Sequence, residues 1–169
     1  VAEPEKVELS LADVQRVAAF AAACARRILP VFEELHQSDL RPRSAIDGAE
    51  EFAATGGRTA ALRQRAWDAH KAAREVPASA ATDAALAAMH AAGAAFLHPL
   101  YSPHQVKHIL GSAVHLLLAQ PEAVAEQIDW IHTQADTTVC TILRRFPEPT
   151  GGRTRYGALL TQLDTELRR

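Results

Sequence analysis

Four of the chain's eight histidines fall within one stretch, His98–His115, "HPLYSPHQVKHILGSAVH". Imidazoles at helical spacing can bind zinc, relay protons or line a polar face. On a helix turning about 100° per residue, His104 at 0° places His108 near ~40° and His115 near ~20°. The three share one face, with Lys107 and Gly111 beside them. Val106, Ile109, Leu110, Ala113, Leu116 and Leu117 take the opposite side. The histidine face is therefore expected to point away from this helix's core contacts, toward solvent, a neighbouring segment or a partner. His104 and His108, at i and i+4, have zinc spacing. His115 stands about 10 Å further along the axis than His108, too far to join the same ion. Gln105 follows His104, so the H-E-x-x-H pattern is absent, and no nearby Asp or Glu offers a general base. His70, His90, His98 and His132 are unguided as further ligands. The expectation is a polar interhelical or partner surface with no metal and no other cofactor, His104 and His108 being the weak candidates for a metal.

Other reactive patterns fail on their spacing. No phosphate-binding G-x-x-x-x-G-K-[ST], strand-borne G-x-G-x-x-G or G-x-S-x-G elbow occurs. "TGGRT" occurs at 55–59 and again at 150–154, reading each time as a glycine helix stop followed by a threonine cap. Cys24 lies mid-helix among Ala and Phe, a poor setting for a thiolate. Cys24 and Cys140 form no disulfide framework and read as reduced thiols, consistent with a cytoplasmic location. "TAALRQRAWDAHKAARE" carries Arg63, Arg65, Lys71 and Arg74 but also Asp68 and Glu75. That is a solvated charged face rather than a DNA-reading helix.

The most distinctive polar stretch is "FEELHQSDLRPRSAIDGAEEF". Six acids, Glu33, Glu34, Asp39, Asp47, Glu50 and Glu51, surround Arg41 and Arg43. The two arginines flank Pro42 at a helix start, where the helix dipole disfavours cations. Something else must hold them, and Asp39 and Asp47 are near in sequence. The cluster reads first as salt bridges fixing a loop to the second helix; the functional alternative, which can coexist with it, is a recognition surface for a protein partner.

A chain of 169 residues, 48% hydrophobic and 22% charged, is the size and balance of one globular domain. Its formal net charge of −2 leaves no basic footprint for nucleic acid. No apolar run of roughly 18 residues is present, so no membrane span is expected. The opening "VAEPEKVELS" has neither the basic nor the apolar region of a signal peptide, and residues 1–9 read as a flexible lead. Ser10 with Asp13 starts a first helix, which Pro30 is expected to kink or break. A second runs from Pro42 to Gly56-Gly57. A third follows Thr59, with Leu62, Ala66, Trp67, His70 and Ala73 inward. A fourth, rich in Ala, follows Ser79, with Leu86, Met89, Gly93 and Leu97 on one side. A fifth spans Pro103 to Ala119. A sixth, the longest, runs from Pro121 to Phe146. A last helix over 154–169 packs on the bundle. No segment alternates with the period of a strand. The fold expected is all-α, one compact bundle of six to seven helices spanning residues 1–169, with no sheet.

The stretch "AAFAAACARRILPVFEELHQSDLRPRSAIDGAEEFA" resembles the start of a family of all-α immunity proteins from bacterial polymorphic-toxin systems. Cys24, Leu29, Pro30, Phe32 and Glu33 match its pattern, as do Asp39, Arg41, Pro42, Arg43, Ala45 and Ile46, with Asp47 at a Glu position. "HAAGAAFLH" and "VKHILGSAVHLLLA" are similar to its Ala/His-rich helices. Leu40 between Asp39 and Arg41, Gly48 for the usual Ala, His115 where Tyr is commoner and the segment "HPLYSPHQ" depart from it. The resemblance covers about residues 12–119. It implies a non-catalytic protein that binds and blocks a cognate protein toxin. The candidate contacts are Asp39, Arg41, Arg43 and Asp47, with His104, Lys107, His108 and His115 second. Two other readings stand beside it: a small His-ligated metal enzyme, most simply a hydrolase, and a helical regulatory or DNA-associated module. The partners expected are the toxin, no nucleic acid and no membrane. The Ala-rich fourth helix leaves open packing within the fold or against a second copy as a homodimer.

Overall fold

The computed structural model describes residues 3–169. Ser10 opens α1 (Leu11–Glu33) through a reciprocal cap, its hydroxyl accepting from the Asp13 N–H and its own N–H donating to the Asp13 carboxylate, both at 3.0 Å. Pro30 does not end this helix, so of the kink or break expected there the break does not occur. An interior proline costs about 3 kcal/mol. The turn it occupies buries Ile28, Leu29 and Phe32 completely or nearly so, and each such side chain contributes about 1.5–3 kcal/mol. Packing therefore outweighs the missing N–H for one more turn.

Pro42 lies in the first turn of α2 (Arg41–Thr55), and Gly56 stops it at φ 74°, a left-handed conformation that disfavours any side chain. Thr59 caps α3 (Ala60–Glu75) by accepting from the Leu62 N–H at 3.0 Å. The first "TGGRT" thus does what its residues suggest. In the second, Thr154 caps a helix, but α7 has already ended at Arg145. The inward face of α3 is Leu62, Ala69, Ala72 and Ala73, whereas Trp67, expected inside, is 59% exposed. The seam takes small residues and turns the large ring outward.

That choice follows from α4 (Ala80–Ala94), which packs against α1, α2, α3 and also α5 (Val106–Ala119). Its buried residues are all alanines: Ala81, Ala84, Ala85, Ala87, Ala88, Ala91, Ala92 and Ala94. Leu86 and Met89, which share one side of the helix, are only half-buried. Methyl-sized side chains on several faces let more than one helix approach closely. The alanine helix is therefore enclosed by its own chain.

A 3-10 turn at Pro103–Gln105 leads into α5, which is buried almost all round. The single long helix expected from Pro121 is instead a 3-10 turn, α6 (Val124–Gln134) and α7 (Thr137–Arg145). Asp136 makes the break by capping α7, its carboxylate accepting from the Val139 N–H at 3.0 Å. α8 (Arg155–Arg168) packs on α5 and α7. Ahead of α1, Val7 N–H donates to Pro99 C=O at 2.8 Å and Tyr101 N–H to Glu5 C=O at 2.9 Å. The lead expected to be flexible is thus pinned at residues 5–7, while Val1 and Ala2 lie outside the described residues. Among the described residues there are eight α-helices and no sheet, only an isolated Lys6–Leu100 bridge. One connected core draws on all eight helices. The all-α expectation is met.

Because α4 is packed by methyl groups, enlarging one of them should strain several helices at once. Ala88→Leu is expected to lower unfolding free energy by about 1–3 kcal/mol, read from urea unfolding. An unchanged midpoint would show that the seam has room to spare.

Candidate functional site

The "RPR" arginines are held, by Asp39 as its nearness in sequence suggests but not by Asp47. The Asp39 carboxylate accepts from the Arg41 backbone N–H at 3.1 Å, from Nε at 2.9 Å and from Nη2 at 2.7 Å. Arg41 Nη2 also donates to Glu75 at 2.6 Å, tying the α1–α2 loop to the end of α3. Asp39 thereby supplies the negative charge that Arg41 lacks at a helix N-terminus. The guanidinium holds Asp39, and also Glu75, below the usual carboxylate range. Arg43 forks onto Glu33 at the end of α1, with both bonds at 2.7 Å. Asp47 holds neither arginine: it accepts from Arg26 of α1 at 2.7 Å, beside Glu50. Glu33, Glu75 and Arg26 are the partners that sequence proximity missed. Pairs as open as these contribute little to stability, because water screens them. Their effect is to set the shape of the loop.

The histidine face divides in two. His104 and Lys107 are exposed and His108 is half-buried, the two rings meeting edge to face at 6.3 Å. His115 is buried, 7% exposed, so it faces neighbouring segments, one of the directions expected, and is not the partner contact it was a candidate for. α5 has α4 on one side and α8 on another, so it has no polar side at that level. His115 Nδ1 lies 2.8 Å from the Asp83 carboxylate, so the carboxylate that sequence reasoning did not find comes from α4. Its ring stacks on His90 at 5.2 Å and 25°, and Tyr156 of α8 lies 5.2 Å away. Asp83 and His90, seven residues apart, share one face of α4. That spacing was the available signal.

Gly111 is what admits His90. A Cβ at this position would stand 2.5 Å from His90 Nδ1. Burial pushes the His90 imidazole down to about 3 and lowers His108 in the same direction. Ser112, one residue on, spends its hydroxyl on the Ala87 carbonyl at 2.7 Å. The arrangement is a packed polar seam joining α4, α5 and α8. Asp83 and His115 form an acid–base pair, but rings wall it and the Ser112 hydroxyl is already committed. Among the described residues no three His, Cys, Asp or Glu side chains group as metal ligands, so His104 and His108 gain no third donor. Cys24 is buried, which raises its thiol, and Cys140 is raised likewise.

His90 ties stability to pH. Unfolded, the ring binds a proton near 6.5; folded, only near 3. The folded state therefore holds fewer protons between those values, so this contribution is complete above about 6.5 and shrinks as pH falls. Going from about pH 7.5 to about pH 5 should cost about 2 kcal/mol of unfolding free energy, read from urea midpoints. His90→Phe should remove most of that loss. The acids paired with arginine titrate lower, so an equal loss in the variant would place the effect elsewhere.

The described helices include none long and apolar enough to cross a membrane. Comparison with curated proteins and with solved structures finds no match. A family model described as "Imm-5 like putative immunity protein" matches residues 8–134, which run from the segment before α1 to the end of α6 and include the "RPR" cluster and the seam's Asp83, His90 and His115. The chain belongs to that family of immunity proteins.

Proposed function

We propose that this chain binds a cognate protein toxin of its own cell and neutralises it without chemistry of its own. Membership of the immunity family is the observation that carries the reading. The geometry supports it in two ways. A helical scaffold joined by one core holds its surface in place before binding, so little ordering cost is met on association. The charged loop is also pre-shaped: Arg41 and Arg43 are fixed by Asp39, Glu75 and Glu33 before any partner arrives.

The contacts we assign are Asp39, Arg41, Arg43 and Asp47, with His104, Lys107 and His108 on a second face. Arg43 and Asp47 keep 46% and 54% of their side chains exposed, so they can re-pair with a toxin's charges at modest cost. Such charges set encounter rate and partner choice. His115 is buried and belongs to the scaffold instead.

A growth rescue tests this. The reading frame adjacent to this gene is induced in a neutral host, alone and with this protein. The expected result is growth arrest alone and restored growth on co-expression. Arrest that co-expression leaves untouched would overturn the proposal. Arg43→Ala, checked to melt like wild type, is expected to weaken rescue at limiting protein, and full rescue would remove Arg43 from the contact surface.

A further inference from the structure

Two hollows, of about 820 Å³ and about 460 Å³, adjoin on the surface of α3. Arg63, Trp67, Phe96 and His98 wall both, so the two form one groove. Among the described residues six large hydrophobic side chains are exposed, and Leu11 and Trp67, at 48% and 59%, line the groove. Leu100 and Tyr101 directly follow Pro99 of its wall and are exposed as well. An open indole beside a half-buried phenylalanine is the composition of a binding anchor, not of a solvated face.

The charge of the groove is one-sided. Arg58 and Arg63 line it, and no Asp or Glu lines either hollow. Among the described residues eight of the fifteen arginines meet a carboxylate within 4.0 Å, and Arg58 and Arg63 are two of the seven that do not. Arg58 donates Nε to the Ala95 carbonyl at 2.6 Å and lies over the Phe52 ring. Arg63 lies over Phe96 at 4.7 Å. Stacked in this way, each guanidinium is held in place while its remaining N–H groups stay free for an incoming carboxylate. In a chain of net charge −2, this is a local reversal of sign.

We propose that the Trp67–Phe96 groove is the anchor site for an acidic segment of the toxin. The segment inserts an aromatic or branched apolar side chain against Trp67 and Phe96 and sets carboxylates on Arg58 and Arg63. The identity of the partner rests on the toxin-binding reading; the chemistry of the groove does not. His98 and His108 stand at its edge, which joins the second contact face to the same surface.

The direct probe needs no toxin. A peptide of one phenylalanine flanked by glutamates is titrated into the ¹⁵N-labelled chain, beside the same peptide with lysines for glutamates. Saturable shifts centred on the Trp67 indole are expected for the acidic peptide, with a Kd of about 1 mM or tighter. Arg63→Glu should weaken binding at least about tenfold. Equal binding of the lysine peptide, shifts centred elsewhere, or no binding would overturn the proposal. Self-association that Trp67→Ala abolishes would also overturn it, by showing a second copy in the groove. In the growth rescue, Trp67→Ala and Arg63→Glu, each shown to be folded, are expected to lose protection. Full protection by both would overturn the anchor site while leaving the toxin reading intact. Failure of the wild type to protect strikes the toxin reading alone, and the peptide titration still decides the groove.

Discussion

Close approach to a helix made of alanines organises this fold. α4 meets α1, α2, α3 and α5, and the apolar residues it buries fully are all alanines. A helix can be surrounded in this way only if its side chains are short, because larger ones would hold the neighbours apart. The bulk that fills the core therefore comes from the surrounding helices: Phe20, Ile28 and Phe32 from α1, Ile46 and Phe52 from α2, Ile109, Leu110, Leu116 and Leu117 from α5. The same constraint decides where Trp67 goes. An indole in the α3–α4 seam would push the helices apart, so alanines face α4 and the ring faces water.

The alanine helix is interrupted on one face by the polar residues Asp83 and His90, and the neighbours are fitted to them. Gly111 gives the His90 ring its space, and His115 answers Asp83. The result is a positionally demanding polar contact in which Asp83 and His115 satisfy each other, while the Tyr156 hydroxyl beside them is buried without a partner. A hydrogen-bonded pair fixes the register of α5 against α4 more sharply than methyl contacts alone can, since methyl packing tolerates sliding. The price of this arrangement is a histidine kept neutral well below its ordinary range.

The surface divides into two kinds. Around the α1–α2 loop the charges are matched within the chain, arginine by arginine. Around Trp67 they are not: two guanidiniums rest on aromatic rings with no carboxylate of their own. A binding protein needs both. Matched charges keep a loop in shape, and an unmatched, partly apolar groove supplies the desolvation that gives an interface its strength. The proposed toxin-binding role would use this asymmetry.

Much of the architecture was legible because it is decided locally. The Ser10 cap, the Gly56 stop, the Thr59 and Thr154 caps and the helical period of the apolar residues each depend on a few adjacent residues. So does the reading of the "RPR" stretch as a charged cluster, although its partners do not. What could not be read depends on which helix lies opposite. Pro30 stays helical because the turn it occupies packs into the core, and Trp67 turns outward because α4 is close. On a helical wheel, His115 shares a face with His104 and His108; in the molecule α4 and α8 cover that face at one level and leave it open at the other. Periodicity along one helix states which residues lie on a common face. Only the packing of distant helices decides whether that face meets water, an aspartate or another ring.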